Sequence, residues 1–155
     1  MVVAAFRGAA MPRASAVARA HRVVSTGPYR GRILRATDGK HPMNVAWLQC
    51  VGSRRVTPGE NSYCSGVCCT YTQKQVILTK EHEAEAECTV FHNDIRAIGK
   101  DFERYYHRTE QLPGVRFIRS YTSVVGENPE NNNVVVRYAT PADGVKEEEF
   151  DMVVL

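Results

Sequence analysis

The sequence predicts an α/β fold: a parallel sheet with helices on both faces, followed by a small antiparallel β-meander. Apolar runs rich in β-formers alternate with helical patterns in the first part of the domain, which is typical of a doubly wound parallel sheet. Short strand-like runs separated by turn residues then follow one another without a helix, which indicates the meander. The length of 155 residues fits one such domain.

The segments that precede the domain are predicted from composition. Residues 1–22 are predicted to be an unstructured or non-native N-terminal stretch, since they are rich in Ala and Arg and contain no acid. A transit peptide is the alternative for such a composition. Residues 23–43 are predicted to be a connector with a turn at Asp38-Gly39, because Gly, Pro, Thr and Asp are dense there.

The domain, residues 44–155, is predicted to begin with a strand and a helix. Asn44–Val51 is a mostly apolar run typical of a buried parallel strand. A helix is predicted to run from a cap at Ser62 or Ser65 to about His82. Its predicted buried face consists of apolar residues at helical spacing: Val67, Tyr71, Val76, Ile77 and Leu78.

A second strand, a second helix and a third strand are predicted next. Glu87–His92 is rich in β-formers, which is typical of a strand. Asp101–Gln111 is a polar helical pattern that ends before Pro113-Gly114, and Val115–Tyr121 is the third strand. The side chains predicted to turn inward from this helix are aromatic: Phe102, Tyr105 and Tyr106.

The remainder is predicted to form the meander and a last strand. The meander comprises Thr122–Val125, Val134–Tyr138 and Glu147–Phe150, and the apolar run Phe150–Leu155 closes the chain. Because the chain stops on an apolar strand with no polar tail, we expect a module of a larger protein that is truncated at its C-terminus.

Charge and composition disfavour several classes of protein. Residues 1–40 hold eight Lys and Arg and one acid, so they carry +7, and the rest of the chain carries −4 of the net +3. The basic excess lies outside the domain, which disfavours nucleic-acid binding. No apolar run approaches about 18 residues, so no membrane span is predicted. Five cysteines without an evident signal peptide favour metal or redox chemistry over disulfides.

Four of the cysteines are candidate metal ligands: Cys50, Cys64, Cys68 and Cys69. Cys50 ends the first strand and the other three lie at the start of the first helix, where doubly wound sheets bind their ligands. Cys64 and Cys68 are four residues apart and face one side of a helical turn, whereas Cys69 reaches the same point only if the helix begins irregularly. The helix N-terminus favours thiolates. Four converging thiolates are the ligand set of an iron–sulfur cluster or a zinc ion.

The residues alone leave alternatives open. A zinc-stabilised α/β interaction module without a redox role is one, although Cys50 and Cys69 do not supply a second C-x₂₋₄-C knuckle beside Cys64 and Cys68. A reductase that binds NAD(P)H is another, but the turn after the first strand lacks G-x-G-x-x-G. Packing as small hydrophobic side chains is the third, and it is the preferred interpretation for Cys88.

Charged residues close to the cysteines have two interpretations. Arg54, Arg55 and Arg96 are solvated surface residues in the preferred one, whereas in the other they raise the reduction potential of a cluster, because positive charge favours the reduced state. His92 and Asp94 follow the second strand and are predicted to be structural or to tune a cluster, not to act as acid or base.

Over roughly residues 23–155 the sequence resembles the A-type subunit of heterodisulfide reductase, an iron–sulfur flavoprotein. The resemblance is carried by QCVGSR followed by YCS-x-VCC, and further by TVFHNDIRAIGKDFERYYHRT, GVRFIRS and EEEFDMVVL. It implies a Rossmann-like fold of the thioredoxin-reductase type, which binds FAD and NAD(P) in that class. It also implies that Cys50, Cys64, Cys68 and Cys69 ligate one 4Fe–4S cluster, and that the full-length protein carries FAD.

The same resemblance implies a function for the segment. As part of a cytoplasmic oxidoreductase complex of the CoB–CoM heterodisulfide reductase type, it would relay electrons between FAD and the clusters of partner subunits. Alone it would not be catalytically complete, and no catalytic residue is assigned. The implied partners are other heterodisulfide-reductase-type subunits, the small subunit of a hydrogenase or formate dehydrogenase, or ferredoxin, with no nucleic acid and no membrane span.

Overall fold

A computed structural model describes residues 32–35, 38–56, 58–59 and 61–155, except for the side chains of Tyr121 and Ser123. The predictions for residues 1–22 and for the first part of the connector lie outside the described residues. The elements in chain order are β1 (Asn44–Leu48), α1 (Cys68–His82), β2 (Glu87–His92), α2 (Phe102–Glu110), β3 (Val115–Arg119), β4 (Tyr121–Glu127), β5 (Val134–Thr140), β6 (Gly144–Phe150) and β7 (Met152–Val154).

The strands form two sheets. The first is parallel and four-stranded in the order β3-β2-β1-β7, with Ala46 of β1 opposite Thr89 of β2 and Val153 of β7. The second is antiparallel and three-stranded in the order β4-β5-β6, with an irregularity between Thr122 and Val124. The predicted α/β class, the parallel sheet and the antiparallel meander are thus confirmed.

The two faces of the parallel sheet are covered by different kinds of structure. On one face Val76 of α1 packs in a core with Trp47, and Tyr106 of α2 lies edge-on to Phe117 of β3, with ring centroids 5.1 Å apart. On the other face Phe91 of β2 joins the core formed by the antiparallel sheet. The prediction of helices on both faces is therefore wrong for the described chain. The meander takes the place of the second helical layer, because the crossover from β3 to β7 passes over that face.

The buried face of α1 differs from its prediction. Val76 and Ile77 are buried as expected, but Val67 and Tyr71 are 66% and 47% exposed. The helix begins at Cys68, and no side chain caps it, so neither Ser62 nor Ser65 does. Its remaining buried positions are largely polar: Thr72, Gln73, Gln75 and Thr79. The prediction from apolar periodicity placed the buried face of α1 wrongly, because polar side chains occupy much of it.

The region around α2 also differs in detail from the prediction. Tyr105 and Tyr106 are half-buried as expected, whereas Phe102 is 40% exposed. The predicted third strand is divided at Ser120 into β3 and β4, which belong to different sheets. The backbone N–H of Ser120 donates to the carbonyl of His92 at 3.0 Å, and the chain leaves the parallel sheet at this point.

The described end of the predicted connector packs on the domain. Ile33 is 2% exposed and belongs to the core between α1 and the parallel sheet. The turn at Asp38-Gly39 is confirmed, since the N–H of Arg35 donates to the carbonyl of Lys40 at 2.8 Å and Gly39 has a φ of +69°. The part of the chain that the structure describes contains no helix long and apolar enough to cross a membrane.

Candidate metal centre

Cys50 lies just beyond the carboxyl end of the central strand β1. β1 lies between β2 and β7 in the sheet. The chain adds β2 and β3 on one side of β1 and later β7 on the other, so the direction in which strands are added reverses at β1. Open α/β sheets bind ligands beyond the carboxyl ends of their strands at such a reversal. The backbone N–H of Gln49 donates to the carbonyl of Phe91 at 2.9 Å and carries the chain from β1 into the loop.

The loop after β1 is folded back on itself by backbone hydrogen bonds. Cys50 and Arg54 have φ values of 61° and 58°, in the left-handed region that residues with a Cβ seldom adopt. The N–H of Arg54 donates to the carbonyl of Tyr63 at 3.2 Å, and that of Arg55 to the carbonyl of Asn61 at 2.9 Å. This pairing returns the chain toward its starting point, and Cys64 follows directly.

Cys68 and Cys69 are the first two residues of α1, and their thiols share a hydrogen bond. This bond lowers the pKa of Cys68 and raises that of Cys69, because one thiol donates while the other ionises. Cys50 also lies close enough to Cys68 for the two sulfur charges to repel each other. The structure therefore brings these three cysteines into one neighbourhood, and Cys69 enters it although a regular helix turns it away from Cys68.

Backbone N–H groups point at the cysteine sulfurs. The N–H of Gly66 donates to Cys64 Sγ at 3.4 Å. The backbone of Asn93 donates to the sulfur of Cys50, and that of Arg96 to the sulfur of Cys69. Such donors stabilise thiolates and tune iron–sulfur clusters through their sulfurs. Gly66 has a φ of +73° with open space where a Cβ would lie, so it is the backbone conformation that favours glycine there.

Arg54 joins the cysteine loop to the segment after β2. Its guanidinium forms an ion pair with the carboxylate of Asp94 and also donates a hydrogen bond to the sulfur of Cys50. Burial raises the pKa of Cys50, and the hydrogen bond from Arg54 opposes that rise. Desolvation disfavours the charged form of Asp94, but Arg54 and Arg96 together outweigh it and the pKa of Asp94 is lowered.

A small cavity lies beside Cys50 on the side of the antiparallel sheet. It measures about 40 Å³, and Cys50, Asn93 and Ser120 are among its lining residues. Ser120 Oγ is buried without a hydrogen-bond partner among the described residues. Ligand pockets are several hundred Å³, whereas one water occupies roughly 30 Å³. This cavity thus suits water and not a dinucleotide.

The donors gathered at this site are cysteine sulfurs. Among the residues that the structure describes, no group of three or more His, Cys, Asp or Glu side chains is arranged to hold one metal ion. Sulfur ligands with backbone N–H groups directed at them are what an iron–sulfur cluster uses.

Cys88 and His92 have structural surroundings. Cys88 is fully buried in the core beneath α1, where burial raises the pKa of its thiol to about 12, so it packs as predicted. His92 is buried beside Phe117, and burial lowers the pKa of its imidazole. A buried ring agrees with the structural alternative among the two roles that were expected.

Sequence reasoning missed the backbone contribution of the segment after β2. The N–H of Asn93 and the carbonyl of Asp94, which accepts from Cys69 Sγ at 3.9 Å, leave no mark in the sequence. The sequence did contain a signal for the ion pair of Arg54 and Asp94. These opposite charges follow β1 and β2, which were predicted to be parallel and are neighbours in the sheet.

The fold and the site define a class of protein, an α/β domain that carries a cysteine-rich loop at the carboxyl end of its parallel sheet. No protein-family model matches the chain. The A-type iron–sulfur subunit of a CoB–CoM heterodisulfide reductase from Methanopyrus kandleri is 42% identical over 132 residues, 84% of this chain. The corresponding protein of Methanocaldococcus jannaschii is 42% identical over 83% of the chain. The A-type subunit of the H(2):CoB–CoM heterodisulfide,ferredoxin reductase from Methanothermobacter marburgensis is 41% identical over 84%.

The chain is homologous to a segment of the A-type subunit of heterodisulfide reductase, which confirms the resemblance seen in the sequence. It spans about 20% of the length of each of these relatives. Their names describe subunits of an oxidoreductase, and two of the three describe an iron–sulfur subunit.

Proposed function

We propose that this chain is the cluster-bearing segment of a heterodisulfide-reductase-type flavoprotein, in which it relays electrons through one 4Fe–4S cluster. Cys50, Cys64, Cys68 and Cys69 are the proposed ligands. The observation that carries the proposal is the gathering of Cys50, Cys68 and Cys69 at the carboxyl end of β1, with backbone N–H groups directed at their sulfurs. Relatives named as iron–sulfur subunits support it.

A bound 4Fe–4S cluster supplies transfer of single electrons. The residues around it prepare the ligands. The hydrogen bond between Cys68 and Cys69 lowers the pKa of Cys68, and metal binding requires thiolates. The backbone donors of Gly66, Asn93 and Arg96 remain available to stabilise sulfur charge. The burial of Cys69 limits the access of water to that sulfur.

The fold is proposed to be Rossmann-like, of the thioredoxin-reductase type. The order β3-β2-β1-β7 supports this, since it corresponds to the 3-2-1-4 half of a doubly wound sheet with the meander in place of one crossover. In the full-length protein we place FAD in a separate part, from which this segment receives electrons or to which it passes them. The cysteine loop replaces the glycine turn that would hold a nicotinamide dinucleotide.

The partners and location are proposed from the relatives. The proposed partners are other subunits of a heterodisulfide reductase complex, the small subunit of a hydrogenase or formate dehydrogenase, and ferredoxin, in the cytoplasm. Relatives whose names include hydrogen, formate or ferredoxin support this set. No observation favours the zinc-stabilised module, which lacks a second paired knuckle.

The test is the iron and acid-labile sulfide content of the chain after anaerobic reconstitution, with its visible spectrum. We expect about four irons and four sulfides per chain, the content of one 4Fe–4S cluster, and bleaching by dithionite. Cys64→Ala is expected to lose the colour and much of the folded structure, because cluster binding stabilises small modules. Zinc without sulfide in the unaltered chain would contradict the proposal.

The matched control is Cys88→Ala. Cys88 is a cysteine of the same chain that lies in the core and outside the proposed site. The Cys88→Ala chain is expected to keep the full iron and sulfide content. A Cys64→Ala chain that also kept it would remove Cys64 from the ligand set.

A further inference from the structure

We propose that the ion pair between Arg54 and Asp94 sets the reduction potential of the cluster. Arg54 holds positive charge against the sulfur of Cys50, and Asp94 positions that guanidinium and offsets part of its charge. This inference rests on the proposed function, since it concerns the cluster that the four cysteines would hold.

The contact is built by both partners. The Arg54 side chain is 25% exposed and reaches Cys50 and Asp94 at once. Its backbone has a left-handed φ of 58° and is fixed by the hydrogen bond from its N–H to Tyr63. A non-glycine residue held in this conformation is costly, and such strain concentrates at functional sites. The loop therefore fixes the backbone of Arg54, and Asp94 orients its guanidinium.

Asp94 is tied to the same site through its main chain. Its carbonyl oxygen lies 3.9 Å from Cys69 Sγ, and the preceding residue, Asn93, directs its N–H at the sulfur of Cys50. The Asp94 carboxylate also faces Arg96, whose Nε lies 3.5 Å from Oδ2. A short segment after β2 thus contacts two proposed ligand sulfurs and orients the arginine that donates to Cys50.

The two charges have opposite effects on a cluster. Reduction adds one negative charge, so the positive charge of Arg54 favours the reduced state and the negative charge of Asp94 favours the oxidised state. Both side chains are partly exposed, and water and salt weaken their influence. Arg54 nevertheless interacts with the sulfur of Cys50, a proposed ligand, and hydrogen bonds to sulfur and local charge are known determinants of cluster potential.

The experiment is a redox titration of the reconstituted chain, followed by visible and electron paramagnetic resonance spectra. Asp94→Asn removes the negative charge but keeps an oxygen acceptor for Arg54, and we expect a higher midpoint potential. Arg54→Gln removes the positive charge, and we expect a lower one. Arg54→Lys keeps the charge and is expected to recover part of the loss.

The matched control is another arginine–carboxylate pair in the same chain. Arg137 and Glu147 pair across β5 and β6 in the antiparallel sheet, away from the cysteine loop. Arg137→Gln and Glu147→Gln remove the same two charges and are expected to leave the midpoint potential unchanged.

Each outcome decides between the proposals. Shifts of opposite sign at Arg54 and Asp94, larger than those of the control pair, support the inference. Shifts of the same sign, or no larger than the control, overturn it while the cluster and the proposed function stand. If Arg54→Gln does not load iron, the sign of the Asp94→Asn shift decides alone. An unaltered chain without iron and sulfide contradicts the proposed function, and this inference falls with it.

Discussion

Gln73 and Gln75 lie two positions apart on the buried side of α1 but have different surroundings. The side-chain amide of Gln75 accepts a hydrogen bond from Trp47 Nε1 at 2.9 Å. Gln73 is fully buried, and neither its oxygen nor its nitrogen has a partner among the described residues. A buried amide without partners loses its bonds to water and gains none in return.

Gln73→Met is therefore expected to stabilise the chain. It replaces an unpaired amide with an apolar side chain of similar length, which should raise the free energy of unfolding by about 1–3 kcal/mol. Urea unfolding followed by circular dichroism measures the change. Gln75→Met is the matched control and is expected to have the opposite effect, because it leaves the indole N–H of Trp47 unpaired. A less stable Gln73→Met chain would show that Gln73 has a partner in solution.

At the scale of elements, the turn between β4 and β5 forms hydrogen bonds with one carboxylate on β6, that of Glu149. Asn128 and Asn133 donate side-chain N–H groups to Glu149 at 3.1 and 2.9 Å, and Asn131 donates a third. The hydrogen bonds from these three amides lower the pKa of Glu149 below its ordinary value of 4.5. The asparagine-rich turn therefore folds against the strand that closes the meander.

The hydrogen bonds to Glu149 predict that the stability of the chain depends on pH. A folded-state pKa below the unfolded value adds stability that is complete above about pH 4.5 and is lost as pH falls through the folded pKa. Glu149→Gln is thus expected to be less stable than the unaltered chain at neutral pH, with a difference that shrinks in acid. Urea unfolding at neutral pH and in acid measures this difference in stability.

The control for Glu149→Gln is the same substitution at a neighbouring carboxylate on the same strand. Glu147 forms an exposed pair with Arg137, and such pairs contribute about 0–1 kcal/mol. Glu147→Gln should therefore change stability little at neutral pH. A Glu149→Gln chain that loses as much stability relative to the unaltered chain in acid as at neutral pH would argue against the linkage.

At the scale of the whole molecule, Phe91 connects the two sheets. It belongs to β2 of the parallel sheet and is almost completely buried. Its ring lies 4.7 Å from that of Tyr138 and 5.8 Å from that of Phe150, which are on β5 and β6. The meander thus shares one core with the parallel sheet and does not form a separate unit.

Phe91→Ala is expected to lower the free energy of unfolding by about 3–5 kcal/mol, because it opens a cavity where the two sheets meet. Thermal or urea unfolding with far- and near-ultraviolet circular dichroism measures this loss. Phe102→Ala, at an exposed position on α2, is the control and should cost far less. A loss at Phe91 as small as that at Phe102 would mean that the sheets are held together elsewhere.

The order and type of the elements were readable from local patterns. β2 has the predicted bounds, and the meander strands overlap the runs predicted for them. Period-two alternation and turn residues are properties of neighbouring positions, so they are visible in the chain itself. The buried face of α1 was predicted wrongly because it contains polar residues. Gln75 can be buried there because it pairs with Trp47, which is distant in sequence.

The sequence by itself determined the chemistry of the candidate site, because four thiols beside one strand end and one helix start are a property of composition and spacing. Only the tertiary structure decided that both described helices share one face of the parallel sheet, since the path of a crossover depends on the packing of distant strands. It also decided that Cys69 meets Cys68 and that Arg54 lies between Cys50 and Asp94. These contacts join residues through backbone turns and neighbouring strands, and no local pattern encodes them.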